Sequence, residues 1–538
     1  MAGASRAHAA WRNNPGGSHG GGCGPESVQG KRQPLRGNLV RRRARACRGT
    51  RRRSAAALSR RGHGLPECLL RECRGQGRLA RAGAMNAKMD LPSPVLGLGL
   101  NGLCFGGPFF AACVLLLASM LPALAASSDC VSDDEVDQTV RIQACTRIID
   151  DATEPARNHA IAYFKRGNVW AERHEYDRAI ADFRAMIDLD PNFANGYYNR
   201  GVSWVFKGDY DKAIADFDTA IGLEPNNGDY YYNRGVAHSY KGEDELALAD
   251  YDKSIELNPD DGRAFHNRGL TWARKGDDDR AIADYDQAIR LDPTLANAYN
   301  NRGSAWAHKG DYDRAIADYD QAIQLDPKHA NAYYNRGLSR AAKGNQERAI
   351  ADYSEVIRLN PTHALAYQDR GSAWANKGDN DRAIADYNQA ISLDPKNASV
   401  YYNRGIAWSA KHEYDLAIAD DDQAIDLDPE NAKAYYNRAL AWANKGDNDR
   451  AIADYNQAIS LDPKYSDSYS GRGLMWARKQ ELDRAIADYD KAIGLNANHA
   501  IAYHNRGLAW FGKGEPDRAI ADLDRSIVLD PKDASTLL

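Results

Sequence analysis

From Ala160 onward, small, aromatic and charged positions recur every 34 residues, without an insertion, through eleven copies that cover 160–533. A fixed period of this size marks a repeat architecture. Each copy holds two apolar patterns with helical spacing. In the first, aromatic and small residues fall at repeat positions 4, 8 and 11, as in Tyr299, Gly303 and Trp306. In the second, small and large apolar residues fall at positions 20, 21, 24, 27 and 28, and position 20 is Ala in every copy from Ala179 to Ala519. A methyl group at that place lets two helices approach closely. Gly208, Gly242, Gly276 and Gly310 separate the two patterns and suit left-handed helix ends. Asp209 and Asp311 follow as caps for the second helix. Asp190-Pro191, Asp292-Pro293 and Asp326-Pro327 read as the opening of the first helix, the acid as N-cap and the proline in the first turn. These elements predict an all-α chain of stacked helix pairs, whose core closes only between neighbouring copies.

Residues Tyr299, Gly303, Trp306, Ala315, Tyr319, Ala322 and Pro327 carry a specific resemblance. They match the signature of the tetratricopeptide repeat family at positions 4, 8, 11, 20, 24, 27 and 32. The chain resembles that family in period and in residue pattern over about 70% of its length. The resemblance implies antiparallel helix pairs in a right-handed superhelical solenoid, with a concave groove lined by the first helices and used to bind proteins. Residues 373–396 and 441–464 are identical, which points to recent copying of whole repeats.

One position departs from the family. Position 7, usually Leu, is Arg in all eleven copies, among them Arg302 and Arg404. Position 23, on the second helix, is Asp in all eleven, among them Asp318 and Asp420. Opposite charges repeated without exception predict a ladder of ion pairs, since Arg offers a planar fork to a carboxylate and an apolar stem to its surroundings. The other reading is two solvated columns duplicated together. Repeat 8 places Asp421 where the other copies have Tyr, Phe or Leu, so an uncompensated carboxylate in a helix interface is expected to weaken it. Repeat 10 has Gln480 for the turn glycine and Ala497 for the proline.

Position 6 is Asn in eight copies: Asn199, Asn233, Asn267, Asn301, Asn335, Asn403, Asn437 and Asn505. By resemblance this position looks into the groove. A side-chain amide there can donate to one backbone group of an extended peptide and accept from another. Asparagine ladders of this kind occur in the repeat region of the eukaryotic glycosyltransferase that modifies Ser and Thr. Tyr198, Tyr232, Tyr334, Tyr402 and Tyr436 at position 5 would give the groove aromatic walls. The alternative is that the Asn column serves solvation and local bonding only. No copy has Lys at position 5, and Asn168 alone places Asn at position 9. The carboxylate clamp of chaperone-tail-binding relatives is therefore not expected.

Charge and cysteine divide the chain. Residues 1–84 contain 18 Arg, one Lys and three Glu, and they lack sustained apolar periodicity. They read as a low-complexity stretch, disordered or lying upstream of a true start at Met85 or Met89. Residues 85–125 follow Lys88 with an apolar run and end at Ala123-Leu124-Ala125, the layout of a secretory signal peptide. A membrane anchor and an organelle transit peptide are the competing readings. The whole chain carries −4, so the part after residue 125 is strongly acidic, which argues against nucleic acid as the main partner. An exported chain meets oxidising conditions, which makes Cys130 and Cys145 a disulfide candidate.

The sequence carries no phosphate-binding glycine loop, HExxH, CxxC or nucleophile elbow. Outside the repeats, the exported chain keeps only 126–159, read as an N-terminal capping segment with a helix over 136–151, and the tail 534–538. No catalytic domain fits there. The sequence thus predicts a non-enzymatic, exported scaffold, periplasmic or secreted, that binds a protein or an extended peptide. It predicts no cofactor, no metal and no small-molecule substrate, and a membrane contact only if 85–125 stays attached. The alternative role is an accessory subunit that organises an envelope enzyme complex through its ends or convex face.

Overall fold

The computed structural model describes residues 129–131 and 137–531. The readings of 1–84, of 85–125 and of the tail 534–538 fall outside the described residues. No helix among the described residues is long and apolar enough to cross a membrane. The chain forms two compact bodies, divided between Lys275 and Gly276. Each is a stack of antiparallel helix pairs, with no strand among the described residues.

Among the described residues, the amino-terminal body includes a capping helix, Gln138–Asp150. Asp137 caps it, accepting from the amides of Thr139 and Val140. Cys145 of this helix is joined by a disulfide to Cys130, with 4.9 Å between the Cα atoms. Both cysteines are fully buried and pack with Ala144, Ile148 and Ala162. The first repeat then pairs Ala156–Glu172 with Tyr176–Leu189, and the second pairs Ala194–Lys207 with Tyr210–Leu223. The carboxy-terminal body continues the same alternation to the last pair, Ala500–Gly512 and Pro516–Leu529.

Within each body one packing scheme repeats. The Ala at position 20 is buried throughout, from Ala179 to Ala519. The aromatic ring at position 24 lies against the glycine at position 8. A Cβ on Gly337 would sit 2.6 Å from the Tyr353 ring, and one on Gly201 would sit 2.8 Å from Phe217. That is the physical reason these helices carry glycine in mid-helix, where its flexibility otherwise costs about 1 kcal/mol. The turn glycines are different. Gly208, Gly242, Gly276 and Gly310 have φ between 76° and 80° and close the first helix in the left-handed region. His174, His412 and Gln480 take up the same conformation where the glycine is missing, at φ 61–66°.

The Asp-Pro pairs do not open the first helix. Asp190 is the residue that ends the preceding second helix, its amide bonded to the Met186 carbonyl, and helix formation resumes only at Ala194. The aspartate instead folds the turn: the Oδ1 atoms of Asp190, Asp292 and Asp326 accept from amides two residues on. Proline fits there because it fixes φ and brings no amide to satisfy. Where the first helix is capped by a side chain, the cap is the last position of the repeat before it: Asn227, Asp261, His329, His363, Asn397, Asn431 and His499 accept from the first turn, whereas Phe193, Leu295 and Tyr465 do not. Repeat 10 keeps the turn without proline, because Asn496 accepts from Asn498.

Candidate functional site

The first helices bring two columns together, and the arginine column is the simpler. In repeat after repeat the Arg at position 7 forks onto the Asp at position 23 of the same helix pair, from Arg166 on Asp182 to Arg506 on Asp522. Arg302 holds Asp318 through Nε at 2.8 Å and Nη2 at 2.6 Å. Arg404 holds Asp420 at 2.7 and 2.6 Å. The aspartates are buried, between 3% and 8% exposed. The guanidinium also stacks over the aromatic residue three positions earlier, as Arg302 over Tyr299 at 5.5 Å and Arg404 over Tyr401 at 5.6 Å. Its remaining nitrogen leaves the repeat. Arg302 Nη1 donates to Asp286 of the preceding second helix at 2.6 Å, and Arg404 Nη1 donates to Asn388 at 2.6 Å. The column is thus a spine inside the stack and not a charged surface for a ligand.

A second inter-repeat contact runs along the outside. Lys343, Lys411, Lys445 and Lys513, at position 14, pair with Asp313, Asp381, Asp415 and Asp483, at position 18 of the preceding repeat. These pairs are exposed and each contributes little.

The asparagine and tyrosine columns meet each other. Asn233 donates to the Tyr198 hydroxyl at 3.1 Å and to the Asp229 carbonyl at 2.9 Å. Asn267 donates to the Tyr232 hydroxyl at 2.9 Å. The rule is position 6 of one repeat onto position 5 of the repeat before it. Where position 5 is not Tyr, the amide still finds a partner: Asn335 donates to Asn300 Oδ1 at 3.1 Å and to Ser304 at 3.3 Å. Asn301 accepts from Asn300 at 3.1 Å, and Asn199 donates to Asn168 at 2.9 Å. Asn267, Asn437 and Tyr232 are buried, not set on an open groove face. Asn403 and Asn505 differ. Both are half-buried, and neither amide has a hydrogen-bond partner among the described residues.

Two acids break the pattern. Asp369 replaces the asparagine of repeat 7 and is 8% exposed, yet the Tyr334 hydroxyl donates to it at 2.6 Å, the same contact with donor and acceptor reversed. Burial pushes its carboxyl up to about 6, against the opposing pull of the tyrosine hydrogen bond. Asp421 is fully buried, and burial raises its carboxyl well above the ordinary range. It is not uncompensated, as the sequence led us to expect. The Asn437 amide of the next repeat turns onto it, at 3.1 and 3.2 Å from its two oxygens. The signal for both contacts lay in the sequence, as exceptions in two columns that touch across a repeat boundary, but the touching itself did not. Tyr436 faces Gly471 at the next position 6 and instead packs against the rings of Tyr455 and Tyr465, with centroids 5.8 and 5.0 Å away. Tyr402 sits half-buried over Ala424, Ile425 and Ala434, and burial raises its hydroxyl to about 12.

The half-buried aliphatic residues at position 9, Ile406, Leu440 and Leu474, and exposed Leu508 stand on the first helices of the last four repeats. Among the described residues, no group of three or more His, Cys, Asp or Glu side chains is placed to hold a metal ion.

This geometry defines a tandem-repeat protein built of similar helix pairs, and comparison with known proteins agrees. Models of the tetratricopeptide repeat match residues 194–227, 228–261, 330–363 and 432–465, related models match 272–308, 304–344 and 371–411, and a third matches 476–534. The chain belongs to the tetratricopeptide repeat family. No curated protein matches it. Among solved structures it is similar to a tetratricopeptide repeat protein from Parabacteroides merdae, with 22% identity over 46% of this chain and 98% of that one and a TM-score of 0.38. It is also similar to YrrB, a protein of this class with an unusual peptide-binding site, with 30% identity over 36% of this chain and 96% of that one and a TM-score of 0.30. Yeast Tom70 matches with 17% identity over 71% of this chain and 94% of that one, at a TM-score of 0.35.

Proposed function

We propose that the protein is an exported scaffold that holds an extended polypeptide along the first helices of its last four repeats. The observation that carries this reading is the pair of open amides, Asn403 and Asn505, beside Ile406, Leu440, Leu474 and Leu508. Elsewhere the asparagines are occupied by neighbouring side chains, so a peptide would have to break an internal bond to reach them. At Asn403 and Asn505 an amide is available to a peptide backbone at no such cost. Export is supported by the buried Cys130–Cys145 disulfide, a bond that persists in oxidising compartments.

The test is cross-linked capture from the native compartment by the full chain, beside a variant carrying Asn403→Ala, Asn505→Ala and Leu440→Asp. The proposal expects the variant to keep its helical circular dichroism and lose the captured polypeptides. Equal capture by both proteins sinks it. A second variant, Asn233→Ala with Asn335→Ala, is expected to lose stability and keep its partners.

A further inference from the structure

The last helix, Pro516–Leu529, shows the face that every interior second helix buries under the next repeat. At position 21, Ile384, Ile418, Ile452 and Ile486 are 6–7% exposed, whereas Ile520 is 58% exposed. At position 28, Ile425 is 8% exposed and Ile527 is 48%. On the helix before it, Phe511 is 70% exposed at position 12, where the ten earlier repeats carry Ala, Ser or Val.

An apolar face alone does not say what covers it. Here the flanking charges do. In nine interior joints the Asp, Asn or Ser at position 25 accepts from the next repeat's Arg, as Asp422 from Arg438 and Asp490 from Arg506. Alongside, the acid at position 18 pairs with the next repeat's Lys, as Asp449 with Lys479 and Asp483 with Lys513. Asp524 and Asp517 hold these two positions on the last helix, and neither has a partner among the described residues. The end of the stack is therefore a half-joint: an apolar strip bordered by two carboxylates, set to receive an Arg and a Lys seven residues apart on one helix. Among the described residues, the capping helix Gln138–Asp150 of a second copy is not such a helix: it packs on the first repeat as a second helix does and has neither Arg nor Lys seven residues after Arg141.

We propose that this half-joint docks an amphipathic helix of a partner protein, with small and aromatic residues on its contact face and an Arg and a Lys seven positions apart. The docked helix extends the stack by the geometry of the interior joints. This end face, on the last second helix, is distinct from the first-helix positions of Asn403 and Asn505, so the two readings fail independently.

The probe is a peptide copying residues 296–309, which carries Arg302 and Lys309, held helical by a staple on its outer side. Titrated against the full chain by fluorescence anisotropy, it is expected to bind one per chain. Asp517→Lys with Asp524→Lys is expected to weaken binding at least tenfold, and a peptide with both cations changed to Glu is expected to restore it on that variant. Restoration cannot come from an unfolded end. No binding overturns the proposal, as does binding indifferent to the charge reversal. Sedimentation that shows a dimer dissociated by the same two substitutions assigns the face to a second copy and overturns it. Binding that appears only after deletion of 532–538 assigns the face to the chain's own tail and overturns it as well.

Discussion

The guanidinium of Arg404 closes a fork on both carboxylate oxygens of Asp420 and, with its third nitrogen, reaches Asn388 in the repeat before it at 2.6 Å. One side chain thus ties two helices of its own repeat to a third. The Leu usual in this family at position 7 would supply apolar contact but no directed link across the joint.

Removing the arginine leaves Asp420 buried without a counter-charge. With the Asp420 side chain 7% exposed and that of Arg404 19%, the loss is expected to be about 2–4 kcal/mol. The exposed pair Lys411–Asp381 is worth under about 1 kcal/mol. Thermal melts of Arg404→Ala and Lys411→Ala should therefore differ clearly, with the first much lower. Equal melting points would mean the spine adds nothing beyond solvated charge.

Asp421 and Asn437 make a second comparison. In sister repeats a tyrosine ring fills this place against the position-8 glycine, whereas Gly405 faces the Asp421 carboxylate. Asp421→Tyr should stabilise the carboxy-terminal body by about 1–3 kcal/mol, by exchanging a buried acid for a ring that the site accommodates elsewhere. Asn437→Ala should destabilise it, because the carboxylate then loses its donor. Amide hydrogen exchange over 405–430 should slow in the first variant and quicken in the second, with 300–325 as the internal reference.

Asp369 sets a pH dependence. Its carboxyl is raised to about 6 in the folded chain, above its unfolded value near 4. The folded state therefore binds the proton more tightly, and stability falls as pH rises from about 4 through 6. A shift of about two units corresponds to roughly 3 kcal/mol. Other carboxylates lose their partners as pH falls, so the difference between the wild type and Asp369→Asn isolates the contribution. The variant should be the more stable at pH 7, and its advantage should vanish near pH 4. A pH-independent difference would show that Asp369 does not titrate in this window.

The repeat, its helix pairs, the turn glycines and the family were legible along the chain, because each depends on residues close in sequence or on simple periodicity. Arg302 and Asp318 lie 16 residues apart inside one helix pair, so two unbroken columns were enough to suggest their meeting. The fork's third arm was not legible. It joins Arg302 to Asp286 across a repeat boundary, where helix packing fixes which positions touch.

The asparagine column shows the same limit from the other side. The sequence determined that an amide recurs at position 6, and it singled out Asp369 and Asp421 as exceptions. Only the tertiary structure decided that Asn267 spends its amide on Tyr232, that Asn437 turns to Asp421, and that Asn403 and Asn505 remain open. Local spacing writes a helix into the chain, since its hydrogen bonds close within four residues. Which of its polar groups is left for a partner depends on neighbours a whole repeat away, and that is settled by packing.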